Sequence, residues 1–531
     1  MGMLLSKLIK SFFLSINIRE LLFALLVFSP VFLAALFLIT PDFAIGDDYH
    51  YYSFLYKMDL YDFFSRFKAV FLDPFTVGRK LAFLIEYPQF ILINSIHDFY
   101  WIRFFHVFLL IIIFFFLWIN LRLIIDSNIY VILCCLLFFS QPSIWSLLLM
   151  SYGTSIFFGT ILLLYASYLS ISSDFKSIKD YGLLSFLTIV GLNLYQPIWP
   201  MLFMGIFGKS IELFFSLKKG KELKILSENS IKFYEFRLLS KRFIFLISII
   251  FIVFISHLID GKFLSHSPRV FQTNDLYYQL NYIINNLLST TILPWFYFFA
   301  PESLSVKVAS FFVLGFSILL ITFYFLRKIF LLRLAGLYLN LFDYFFIIAI
   351  IFYLIPASLG MYLFTDLSIA FRRTAFASAL FWNTFFVLLY FFGIKYFYNN
   401  FGKLFLKLTI FLLISYNLLF IYFTYIGTVK IASNEWKASL CAAKKVPIFN
   451  PSEINTRVAI LNKPFPSFYS RDEFQVRTFS FPSGAALLWI SYEEAYRKRP
   501  NIDRWKISLI SKESISEWDQ AYLNCVNENV K

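Results

Sequence analysis

Long apolar runs, recurring from Leu21 to Ile426, constrain this chain more than any other feature of its sequence. They lie at Leu21–Thr40, Phe104–Ile125, Ile129–Leu149, Thr154–Ile171, Tyr181–Leu194 and Ile198–Leu217. They continue at Phe243–Leu258, Val308–Leu326, Asp343–Phe364, Thr374–Ile394 and Leu408–Ile426. A helix needs roughly 20 apolar residues to cross the hydrocarbon core of a bilayer. By that measure the sequence predicts about eleven crossings. Composition agrees, with 60% hydrophobic and only 15% charged residues. A soluble domain carries about 45–50% apolar and about 25% charged residues, which excludes that class. The expected fold is an α-helical polytopic membrane protein. The 73 phenylalanines and 33 tyrosines are read as lipid-facing bulk rather than an aromatic binding site.

The net charge of +15 raises the question of nucleic acid. The basic residues lie mostly between the apolar runs, where they set topology and meet anionic headgroups. Membrane lipids are therefore the expected partner, and nucleic acid is not. Lys7, Lys10 and Arg19 precede the first run and place the N-terminus in the cytoplasm. A cleaved signal peptide is the alternative, but the run exceeds the usual 7–15 residue signal core. Lys176 and Lys179, the dense basic stretch from Lys218 to Arg242, then Arg327, Lys328, Arg333, Lys395, Lys403 and Lys407 all fall on the same side. An odd number of crossings places the C-terminus outside.

Residues 1–426 form the expected membrane module. Within it, 41–100 make a first external loop with interfacial helices at Tyr61–Phe67 and Leu81–Ile93, the second stretch interrupted by Glu86, Tyr87 and Pro88. From Gly427 to Lys531 the apolar runs stop. Short alternating stretches at Arg457–Leu461 and Lys506–Ile510 read as strands; Ala485–Arg497 and Ser514–Val526 read as helices. Residues 427–531 are expected to form a small extracytoplasmic α/β domain. Cys441 and Cys525 bracket it, and that compartment permits a disulfide; two unpaired buried thiols are the alternative. Cys134 and Cys135 lie in an apolar run and read as small hydrophobes.

Three constellations are candidates for chemistry. Asp47-Asp48, where the first run ends, are followed by Tyr49 and His50. A carboxylate there can take the proton of an attacking sugar hydroxyl; both aspartates are otherwise solvated loop residues. Arg79, Arg103 and the pair Arg372-Arg373 sit near external ends of apolar segments. A guanidinium matches a phosphate with a planar fork of donors, although a single arginine there more often snorkels to a headgroup. Tyr195-Gln196, before the helix-breaking Pro197, form the third set, as hydrogen-bonding partners for sugar hydroxyls or as an interfacial helix end. His50, His97, His106, His257 and His266 show no metal-ligand spacing, so no metal or cofactor is expected.

Together, Asp47-Asp48 after the first crossing, Gly78-Arg79 in the same loop, Arg103, Tyr195-Gln196 and Arg372-Arg373 resemble the serotype-converting O-antigen glucosyltransferases. These phage-type enzymes belong to the C-type membrane glycosyltransferases. The resemblance implies transfer of glucose from undecaprenyl-phosphate-glucose to a lipid-linked O-antigen repeat unit, on the periplasmic face of the bacterial inner membrane. It implies Asp47 or Asp48 as general base, with Arg79, Arg103, Arg372 and Arg373 at the donor phosphate. Two local departures are the absence of a tryptophan or arginine just downstream of Asp48 and the position of Pro197 directly after Gln196. An O-antigen polymerase or ligase, and a lipid-linked saccharide flippase, are the competing expectations.

Overall fold

The computed structural model describes residues 18–39, 80–91, 96–139, 142–150, 153–172, 177–195, 198–217, 223–264, 325–352 and 400–446, with isolated positions at 319, 322–323, 491, 495, 520–522 and 524–525. The described residues are mostly helical and contain no strand.

The first helix, α1 (Ile18–Leu36), shows how the apolar runs are used. Ala24, Phe28, Val31 and Ala35 recur at helical spacing and are buried, while Leu22, Leu26 and Leu33 are exposed. One stripe packs inward and the other is free to meet lipid. The Phe28 ring centroid lies 4.5 Å from that of Phe114, tilted, and 5.7 Å from that of Phe139, edge-on. The aromatic residues thus fill interior seams as well as supplying lipid-facing bulk.

Next come α2 (Lys80–Ile91), α3 (Phe99–Arg122), α4 (Asn128–Phe139), α5 (Pro142–Leu149) and α6 (Gly153–Ile171). The stretch Ile129–Leu149, expected as one crossing, is two short helices broken at Pro142, the first residue of α5. Proline has no N–H to give and starts a helix well. The break leaves the carbonyl of Phe139 without its helical partner, and Trp145 Nε1 donates to it at 2.9 Å. The α4–α5 leg returns the chain, so α3 and α6 run parallel. His106 meets Thr154 at one end and Asn120 donates to the Leu164 carbonyl at 2.9 Å toward the other.

Helix α6 is the centre, packed against α3, α7 (Ile178–Leu194) and α8 (Pro200–Ser216). Small residues permit the close approach. A Cβ on Gly159 would stand 3.1 Å from the Gly191 carbonyl of α7. Gly205 N–H donates to Ser167 Oγ at 2.8 Å, drawing α8 against α6.

Polar latches close the end of the bundle opposite the α3 N-terminus. Arg122 pairs with Glu20 at 3.0 Å. Helix α9 (Leu223–Leu264) sends Arg242 Nη1 to the Ser170 carbonyl at 2.7 Å. Helix α10 (Leu341–Phe352) carries Asp343, fully buried, which accepts from Arg237 Nε at 3.2 Å, Ser240 Oγ at 3.3 Å and Asn340 N–H at 3.1 Å. Lys328 Nζ donates to the Leu217 carbonyl at the C-terminus of α8, and burial pulls that ammonium below the ordinary lysine range.

Three described helices are long and apolar enough to cross a membrane, at Arg19–Leu36, Ile96–Arg122 and Gly153–Ile171. The expected count of about eleven crossings is not reached among the described residues. One reason is that a run can be built from shorter pieces: α4 has 12 residues and α5 has 8, while α7 and α8 have 17 each. The run Thr374–Ile394 and most of Val308–Leu326 lie outside the described residues.

The backbone stays helical across the expected boundary at 426/427. Helix α11 (Asn400–Thr424) passes through a π-turn (Tyr425–Val429) directly into α12 (Lys430–Lys445), so the polar tail begins as a continuation of the last apolar helix. The α/β domain finds no support: its described residues are helical, and the stretches expected as strands lie outside them. Cys441 on α12 is joined to Cys525 by a disulfide, with Cα atoms 6.1 Å apart and a separation of 84 in sequence. Closing a loop of that length stabilises by about 4 kcal/mol on chain-entropy grounds. Alkylating the denatured protein without reductant is expected to label Cys134 and Cys135, both free, and to leave Cys441 and Cys525 unmodified until reductant is added. Labelling at all four cysteines would show the bridge to be open.

Candidate functional site

At the α3 N-terminus, polar side chains from three helices meet among apolar neighbours. Arg103 and His106 lie one turn apart on α3, with 1% and 0% exposure. Glu86 on α2 is 2% exposed. Three residues further on is Gln89, on the same face of the helix. Thr154 and Ser155 open α6.

Hydrogen bonds tie these groups together. Ser155 Oγ donates to Glu86 Oε1. Thr154 Oγ1 donates to Gln89 Oε1 at 2.7 Å and lies 2.8 Å from His106 Nε2. His106 Nδ1 is 2.9 Å from the Leu148 carbonyl, and Arg103 Nε donates to the Leu149 carbonyl at 3.3 Å. These two carbonyls belong to the last turn of α5, where no helical N–H reaches them. The short α4–α5 leg thus creates acceptors that α3 fills with a guanidinium and an imidazole.

Gly153 makes the corner possible. A Cβ there would stand 2.2 Å from the Leu147 carbonyl oxygen and 3.0 Å from His106 Cε1. Only a residue without a side chain lets α5 turn into α6 this close to the imidazole.

Of the residues singled out from the sequence, Arg103 belongs to this cluster. It faces the interior and holds a backbone carbonyl, rather than snorkelling outward. Tyr195 caps the C-terminus of α7 in an extended conformation and is 5% exposed, its ring inside the core. Asp47, Asp48, Tyr49, His50, Arg79, Gln196, Arg372 and Arg373 lie outside the described residues. Glu86, Gln89, His106, Thr154 and Ser155 were not singled out as site residues. The sequence does hold a signal for two of them: His106 follows Arg103 at helical spacing, and Glu86 interrupts an apolar run. Helix α2 continues through Glu86 and Pro88 and packs against α6 and α7, so its acidic residue faces protein.

Among the described residues no group of three His, Cys, Asp or Glu side chains is placed to hold a metal ion. The cluster offers a carboxylate, an amide, two hydroxyls, an imidazole and a guanidinium. Ionisable groups inside a membrane-embedded bundle are costly and mark functional sites by default.

The fold and this cluster define a helical membrane protein with a polar centre at one end of its bundle. No protein-family profile, curated protein or solved structure matches the chain at a significant level.

Proposed function

We propose that the protein is an integral-membrane glycosyltransferase. It moves a sugar, glucose by resemblance, from an undecaprenyl-phosphate carrier to a lipid-linked O-antigen repeat unit at the periplasmic face of the inner membrane. The observation that carries this reading is the buried cluster of Glu86, Arg103 and His106, on the helices that follow the sequence stretch bearing Asp47-Asp48 and Arg79. A polyprenyl phosphate is confined to the bilayer, so its transferase needs polar chemistry at a helix-bundle end.

In the proposed step, Asp47 or Asp48 takes the proton of an acceptor hydroxyl. The hydroxyl oxygen bonds to the anomeric carbon as the bond from that carbon to the phosphate oxygen breaks. Undecaprenyl phosphate leaves with the electron pair, and a single displacement inverts the anomeric centre. Arg79, Arg372 and Arg373 stabilise the charge on the departing phosphate. Arg103, fixed through Nε, contributes its positive charge as well. Tyr49, His50 and Gln196 are assigned to the sugars, while Tyr195, its ring in the core, supports the end of α7 beside Gln196.

The proposed orientation has the N-terminus in the cytoplasm and the tail outside. The latched end of the bundle carries Arg122, Lys328, Arg333 and Arg242, as cytoplasmic loops do. The Cys441–Cys525 bridge suits an oxidising compartment.

The test is incubation of the purified protein in lipid nanodiscs with labelled undecaprenyl-phosphate-glucose and a lipid-linked acceptor. Label is expected in the acceptor, with release of undecaprenyl phosphate. No transfer from any of a panel of polyprenyl-phosphate hexoses would remove the proposal.

A further inference from the structure

His106, Thr154 and Gln89, on α3, α6 and α2, form one continuous chain of hydrogen bonds. Its polarity follows from what each atom can do. The Leu148 oxygen only accepts, so the imidazole Nδ1 facing it at 2.9 Å carries a proton. The Thr154 hydroxyl gives its proton to Gln89 Oε1 at 2.7 Å, which leaves its oxygen to accept from Nε2–H at 2.8 Å. With the Gln89 amide turned so that Oε1 faces the hydroxyl, both ring nitrogens donate, which requires an imidazolium. A neutral imidazole that keeps its Nδ1 proton has a bare Nε2, which takes the hydroxyl proton instead. The Thr154 oxygen then accepts from Gln89, whose amide must turn its NH2 toward it.

We propose that His106 is a positioning residue whose proton sets the direction of this chain and, with it, the orientation of the Gln89 amide on α2. The proposal rests on the reading of this end of the bundle as the substrate end. Losing the proton reverses the Thr154 hydroxyl and turns the amide over, so one titration on α3 changes what α2 presents. The charged groups of this cluster are Arg103, one turn before His106, and Glu86 on α2, which accepts from Ser155 Oγ. Helix α5 carries no titratable side chain, and the tyrosines of α6, Tyr165 and Tyr168, lie about three and about four turns beyond Thr154. Phe157 stands edge-on to the imidazole at 5.4 Å.

The experiment uses the full-length protein in nanodiscs with nitrogen-15 histidine, reading ring-nitrogen signals by magnetic resonance. His106 is assigned by the signal lost in His106→Asn. Gln89→Glu offers only acceptors when ionised and fixes the chain in the imidazolium direction. It is expected to raise the ratio of imidazolium to imidazole at His106 by roughly tenfold at neutral pH. Adding Thr154→Val breaks the chain and is expected to abolish most of that rise. An equal rise with and without Thr154 reduces the effect to through-space charge and overturns the relay, as does no rise at all. In the transfer assay, the pH profile of kcat/KM is expected to move with Gln89→Glu and to return with the double variant. A relay seen by resonance beside an unmoved profile overturns the positioning role. Absence of transfer in the unaltered protein removes the function reading alone, and the resonance result still decides the relay.

Discussion

Replacing Asp47 or Asp48 with asparagine is expected to cut sugar transfer by about 10²–10⁴-fold at one of the two positions, the range for loss of a general base. The substitution keeps size and hydrogen bonding but removes the basic oxygen. Asparagine cannot take the acceptor proton, so kcat falls while donor binding, held by arginines, stays close to its starting value. Expression and thermal unfolding should be unchanged, because asparagine is close to aspartate in size and shape. The assay is the nanodisc transfer reaction, run on each variant separately. Full activity in both would remove the base assignment and leave a carboxylate elsewhere, Glu86 first, to be tested.

Gly153→Ala is expected to destabilise the bundle by about 1–3 kcal/mol, the usual cost of overpacking a filled interior. The added methyl group would sit 2.2 Å from the Leu147 carbonyl oxygen, so backbone has to move. It would also stand 3.0 Å from His106 Cε1, and the shift carries Thr154 away from the imidazole. A fall in the unfolding midpoint should therefore come with loss of transfer. Gly182→Ala is the control, since nothing lies within 4 Å of a Cβ there. It should leave stability unchanged or raise it slightly, because alanine favours a helix interior over glycine by roughly 0.5–1 kcal/mol. If the two variants unfold alike, the tight corner between α5 and α6 is not as described.

The cluster was only partly legible beforehand. Arg103 stood out because it is a charge at the edge of an apolar run, yet its direction was not legible. Hydropathy places a residue along the chain and says nothing about which way it faces. Glu86 looked like an interruption for the same reason: a carboxylate among apolar residues lowers a window average whether it meets water or Ser155. Thr154 and Ser155 gave no signal at all, since hydroxyls at a helix start are commonplace caps. Their partners lie 65 and 69 positions away.

Composition and local pattern alone show that the chain is apolar with helix-length runs, that its basic residues gather between the runs, and that a cysteine pair brackets the tail. Those properties are sums over neighbouring residues, and local chemistry suffices for them. Only the tertiary structure decided that α3 and α6 run parallel, that Ile129–Leu149 breaks into two short helices, and that α11 continues into α12. It alone brought Glu86, Gln89, Arg103, His106, Thr154 and Ser155 into one buried cluster. The physical reason is that a polar group in an apolar interior must find its partner across space, and the partner is chosen by how the helices pack.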